Sequence, residues 1–125
     1  MTENEISYIV RGATLELYKS LGPGLLESAY ETTLGYELQQ RGLLVQYQVP
    51  LPLVYKEIKL DTGYRVDLLV EDKVIIEIKS VESLLEVHHK QLITYLKLSG
   101  KKLGLLINFN TDDILKSIFR KVNGL

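Results

Sequence analysis

The sequence predicts an α/β fold, with a central mixed sheet between helical layers and an N-terminal helical pair. Three observations predict it. Residues 6–40 carry apolar side chains at helical spacing, and residues 43–79 switch to short extended runs. Within that second stretch, Val74-Ile75-Ile76 and Ile78 are apolar on both faces, the pattern of a central strand covered on each side. Size and composition fit one domain over residues 1–125, with 46% hydrophobic and 25% charged residues. A chain of this length buries roughly two-thirds of its unfolded surface, enough for a core without staples. The absence of cysteine excludes a disulfide framework, a thiolate zinc site and a thiol nucleophile. A formal charge of -1 argues against a chain that mainly coats nucleic acid non-specifically.

The elements follow in order. Ile6, Val10, Ala13 and Leu17 set the first helix, with Thr2 as candidate cap and Glu5 three residues later. Gly22-Pro23-Gly24 breaks it. A second helix runs from about Leu26 to Gly42, with Glu27, Tyr30 and Leu34 on one face. Leu43 to Val49 is extended, Pro50 and Pro52 suit an edge or bend, and Val54 to Leu60 is expected as a strand. Asp61-Thr62-Gly63 is a turn signal. Tyr64 to Val70 and Val74 to Lys79 form the next two strands, around Glu71-Asp72-Lys73. Helical spacing returns from Leu84 to Leu98 and closes at Gly100, and Leu103 to Phe109 is another apolar strand. Ile114, Leu115, Ile118 and Val122 predict a last helix, capped by Thr111 or Asp112.

No targeting segment is evident: Met1 to Glu5 is polar and acidic, and no apolar run approaches the ~20 residues that span a bilayer. The expected location is cytoplasmic, away from membranes. Charge is uneven along the chain. Residues 1–40 hold two cations against six glutamates, whereas residues 97–125 hold six cations against two aspartates. The basic end reads either as a solvated helix face or as a phosphate-facing edge.

Two acidic positions stand out because they interrupt apolar strands. Asp67 lies in Val66-Asp-Leu-Leu-Val70, and Glu77 in Ile75-Ile-Glu-Ile78. An ionised carboxylate among apolar neighbours is costly unless compensated, and a divalent cation held by two of them removes the cost. Mg²⁺ suits such a site, because it takes few carboxylates and keeps waters or substrate phosphate oxygens. Glu77 and Lys79 are two apart in a strand and share a face, so the ammonium can orient or deprotonate a metal-bound water. The same residues also admit a plain structural reading: a Glu–Lys ion pair at a strand end, with Asp67 bonding a backbone amide. The register discriminates. A two-residue loop at Glu71-Asp72 would set Asp67 and Glu77 on opposite faces. A shared site requires a three-residue loop Glu71-Asp72-Lys73, or a bulge near Asp67.

The segment Gly24-Leu-Leu-Glu27-Ser-Ala-Tyr30 matches the motif of the GxxExxY proteins. The surrounding Leu21 to Glu31, Val49-Pro-Leu-Pro52 and Leu103 to Asn110 look like that family too. The chain therefore resembles the PD-(D/E)xK nuclease superfamily, which implies a restriction-endonuclease-like core in three α/β/α layers. The resemblance maps the superfamily's Asp onto Asp67 and its (D/E)xK onto Glu77-Ile78-Lys79, with Val66 where the name has Pro. It implies a metal-dependent hydrolase of DNA phosphodiesters that leaves a 5′-phosphate. Asp67, Glu77, Glu27 and the Ile78 carbonyl would bind Mg²⁺ or Mn²⁺, and Lys79 would position the water. Glu27 also reads as a helix-start Glu favoured by the helix dipole. Gln91-Leu-Ile-Thr-Tyr95 matches the QxxxY motif of the superfamily's exonuclease branch. Gln91 and Tyr95 lie together on a helix face, to orient substrate or water, or alternatively to pack at the core rim. His88 and His89 are adjacent in a helix, diverge, and do not suggest a shared metal site. A homodimer fits the resemblance, since small nucleases of this fold often use two subunits to hold a duplex. The alternative function is a catalytically inactive nuclease-fold module that binds nucleic acid or a protein partner.

Overall fold

Thr2 starts the first helix, α1 (Glu3–Leu21). Its hydroxyl accepts from the Glu5 amide at 3.2 Å, and the Glu5 carboxylate accepts from the Thr2 amide at 3.0 Å. This closes a capping box that satisfies two of the helix's unpaired donors. Gly22, at φ 66°, ends α1, and α2 follows over Glu27–Gln40. The computed structural model describes residues 1–125, and no helix in it is long and apolar enough to cross a membrane.

Five strands form the main sheet: β1 (Val45–Pro50), β4 (Arg65–Val70), β5 (Val74–Lys79), β6 (Leu103–Asn108) and β7 (Ile118–Val122), in the order β1-β4-β5-β6-β7. β5 and β6 are parallel and the other neighbours antiparallel, so the sheet is mixed with β5 at its centre. Between β1 and β4 a hairpin of β2 (Leu53–Tyr55) and β3 (Ile58–Leu60) forms a separate two-stranded sheet.

Two apolar clusters cover the two faces. On one, Ile6, Val10 and Ala13 of α1 and Leu34 and Leu38 of α2 pack on Leu68, Val70, Ile76 and Ile78. On the other, Leu92 and Leu96 of α3 (Glu86–Ser99) pack on Leu69, Ile75 and Leu106. Glycine at 104 allows that close approach: a Cβ there would lie 2.7 Å from Leu92 Cδ1. The result is the expected three-layer α/β/α arrangement, with the N-terminal helical pair as one layer.

Two expectations are corrected. The last helix is absent. Residues Ile114–Ser117 form a single 3₁₀ turn, and Ile118–Val122 is the edge strand β7. Ile118 packs with the α1/α2-side cluster and Phe119 with the α3-side cluster, an alternation that only an extended chain provides. Every residue of β6 is buried, and β7 hydrogen-bonds the edge that would otherwise be left unpaired. The single strand over Val54 to Leu60 is instead the β2–β3 hairpin. It turns at Lys56-Glu57, with Lys56 at φ 53° and Tyr55 facing Ile58. No glycine or asparagine marks that turn in the sequence.

Candidate active site

The β4–β5 connection has the three-residue form. Val70 pairs with Val74, leaving Glu71-Asp72-Lys73 as the loop, with Glu71 and Asp72 at φ 55° and 54°. Counting back through Leu69↔Ile75 and Leu68↔Ile76 brings Asp67 opposite Glu77. There the backbone ladder stops and side chains replace it. Asp67 Oδ2 accepts from the Ile78 amide at 2.8 Å, and Glu77 Oε2 accepts from the Asp67 amide at 3.4 Å.

A second irregularity shapes the same edge. Val66 packs with the α3-side cluster although Leu68 and Val70 pack with the opposite one. β1 does the same: Val45 lies on the α1/α2 side and Val49 packs on the α3 side. Strict alternation would keep each set on one face. Both strands swap faces at one facing pair, Gln48 and Asp67, which is missing from an otherwise continuous β1–β4 register. Gln48 sits there in the left-handed region at φ 50°.

Burial decides the electrostatics. Glu77 is only 6% exposed. Burial first, and then the charge of Asp67 beside it, push its carboxyl up to about 9, while Lys79 pulls weakly the other way. Tyr95 of α3 is buried and tilts against Tyr64 at 5.9 Å between ring centres. Its phenol is raised by burial first, then by the charges of Glu77, Tyr64 and Asp67. The helix therefore brings Tyr95 to the acidic pair, with Gln91 half-buried one turn earlier. Lys79 is half-buried at the end of β5, and its carbonyl accepts from the Phe109 amide at 2.9 Å.

α2 closes the other side. Glu27 accepts from the Ser80 amide at 3.1 Å, and the Ser80 hydroxyl donates to the Leu25 carbonyl at 2.7 Å. Tyr30 donates to the Gly22 carbonyl at 2.5 Å, accepts from the Leu25 amide at 3.2 Å, and stacks on Phe109 at 4.2 Å. The Gly24, Glu27 and Tyr30 motif thus pins the loop before α2 to the chain leaving β5. Glu27, Ser28, Glu31, Gln48 and Asp67 line a cavity of about 160 Å³ with no apolar side chain in its wall. Glu31 is raised by burial first, with Asp67 adding to the shift and the Gln48 hydrogen bond opposing it.

Glu31 and Gln48 are site residues that sequence reasoning missed. Glu31 had a signal, since it is four residues after Glu27 and shares its helix face. Gln48 had none, because a glutamine in an extended run carries no chemical mark. The histidines diverge: His88 Nδ1 accepts from the Leu85 amide at 3.0 Å, whereas His89 meets Phe119 edge-on at 5.0 Å.

No group of three or more His, Asp or Glu side chains is placed to hold a metal ion, so the expected ligand Glu27 is not brought together with Asp67 and Glu77. The donor set is a pair, Asp67 and Glu77, with Glu27 lining the same cavity as Asp67. That set fits a hard divalent cation, because Mg²⁺ takes one or two carboxylates and keeps waters and phosphate oxygens. A cation beside the raised Glu77 would favour its ionised form, as Lys79 already does in part.

A family model described as the PD-(D/E)XK nuclease superfamily matches residues 4–122. No curated protein and no solved structure matches the chain.

Proposed function

The chain belongs to the PD-(D/E)XK nuclease superfamily, and from that premise we propose that it is a metal-dependent nuclease hydrolysing DNA phosphodiester bonds. The observation that carries this reading is the register that sets Asp67 opposite the buried Glu77, each carboxylate accepting from a backbone amide of the other's strand. Asp67 and Glu77 would hold Mg²⁺ or Mn²⁺, with Glu27 and the Ile78 carbonyl as the further ligands the resemblance implies. Such an ion, when bound, polarises the scissile phosphate and acidifies a coordinated water. Lys79 places its ammonium on the Glu77 face, where it positions the water and stabilises charge developing on phosphate. Gln91 and Tyr95 orient substrate from α3. The reading extends to the GxxExxY branch of the superfamily, one domain over residues 1–125, a cytoplasmic location and a homodimer that holds a duplex. The formal charge of -1 favours a second reading, a module that binds nucleic acid or a protein partner without cleaving.

A cleavage panel separates the two. Single-stranded and duplex DNA and RNA are incubated with the protein and Mg²⁺, Mn²⁺ or EDTA. DNA cleavage that appears with metal and vanishes with EDTA is the expected result. Cleavage of RNA alone would overturn the substrate assignment. Failure to cleave any of them, with binding retained, would favour the second reading.

A further inference from the structure

We propose that Gln48 is a positioning residue of this site, whose side-chain amide presets Asp67 and carries Glu31 of α2 to it. The proposal rests on the reading of Asp67 as a metal-binding carboxylate.

Its backbone is the first observation. A left-handed conformation is uncommon for a residue with a Cβ, and glycine would adopt it freely. The chain nevertheless holds glutamine at φ 50° where β1 and β4 swap faces. What glutamine offers there and glycine does not is a side chain.

The second observation is what that side chain does. An amide nitrogen has two hydrogens, and both are used. One goes to Glu31 Oε1 and the other to Asp67 Oδ1, at 3.2 Å. The other Asp67 oxygen takes the Ile78 amide at 2.8 Å. Donors from the strands on either side, β1 and β5, therefore fix the carboxylate, while the same amide joins it to α2.

Charge explains the choice of residue. A carboxylate at position 48 would add repulsion to a cavity already lined by Glu27, Glu31 and Asp67. A lysine would neutralise the cavity and compete with a cation. A neutral double donor holds two acidic groups together and leaves their charge for the ion. Partners that orient a ligand in this way typically change metal affinity 10–100-fold when removed.

Calorimetric titration of Mn²⁺ into the full chain tests this, with Gln48→Gly, Asp67→Ala and the parent compared, and with melting temperatures taken in EDTA. Glycine accepts the backbone conformation and removes the side chain with its amide. The expected result is Mn²⁺ affinity weakened by about 10–100-fold in Gln48→Gly, with a melting temperature not below the parent's. Unchanged affinity in Gln48→Gly, with binding lost in Asp67→Ala, overturns the positioning role alone. A Gln48→Gly protein that melts well below the parent shows an amide that holds the fold, and overturns it too. Binding retained in Asp67→Ala overturns the metal-site reading beneath it.

Discussion

Glu77→Gln is expected to abolish cleavage while leaving the metal-free protein as stable as the parent near pH 4.5, more stable near pH 6 and more stable still near pH 8. The reason lies in where the Glu77 carboxyl sits. Burial and the Asp67 charge lift it from an ordinary 4.5 to about 9, so without metal it is neutral at pH 7. Glutamine is a near-isosteric copy of that neutral form, and its amide can donate to Asp67. Folding favours the protonated carboxyl, so its contribution is complete below about 4.5 and is lost as pH rises toward about 9. The loss is at most about 1.4 kcal/mol per pH unit, or several degrees in melting temperature for a domain of this size. Melting curves from pH 5 to pH 9 in EDTA should therefore slope downward in the parent and flatten in Glu77→Gln. Added Mn²⁺ should relieve the slope in the parent only, because a cation favours the ionised pair. Equal slopes in parent and variant would mean that Glu77 ionises freely in the folded protein, and the cation would lose its rationale.

Lys79→Ala should separate binding from chemistry. Lys79 follows Glu77 by two residues in β5 and shares its face, and its charge is felt at the Glu77 carboxyl. It is not a ligand, because an ammonium has no lone pair to offer. Removing it should lower single-turnover cleavage by about 10²–10³-fold, the range for losing one group that stabilises developing charge. Mn²⁺ affinity measured by calorimetry should remain near the parent's. Half-burial at a strand end leaves room for alanine, so the melting temperature should move little. Cleavage at the parent's rate in Lys79→Ala would refute the assigned role. Loss of metal binding together with cleavage would mean that Lys79 organises the carboxylates rather than the reaction.

Much of the fold was legible because its signals are local. The Thr2–Glu5 capping box, Gly22 and Gly100 mark helix ends that side-chain and backbone chemistry enforce within a few residues. β5 was legible as a central strand because Val74, Ile75, Ile76 and Ile78 leave no polar face. The C-terminal segment was misread because Ile114, Ile118 and Val122 also stand at helical spacing. What makes Ile118–Val122 a strand is the exposed edge of β6, a partner some 15 residues upstream whose need no local pattern records.

The candidate site divides in the same way. Asp67 and Glu77-Ile78-Lys79 could be singled out because charges inside apolar strands are anomalous. Either a three-residue loop or a bulge near Asp67 could be required in advance because side-chain alternation admits only one parity, and the structure has the three-residue loop. Gln48 could not be found, because its place depends on a break that two strands make together. Glu31 gained its place only once Gln48 tied it to Asp67.

The central claim is that Asp67 and Glu77 share one divalent cation. Crystals soaked in Mg²⁺, with a parallel Mn²⁺ soak to identify the ion by its anomalous signal, test it most directly. The account predicts Mg²⁺ density about 2.0–2.1 Å from an oxygen of each carboxylate, with the Mn²⁺ peak at the same place. Ion density elsewhere, with Asp67 still bonded to Gln48 and the Ile78 amide and Glu77 still bonded to the Asp67 amide, would contradict it.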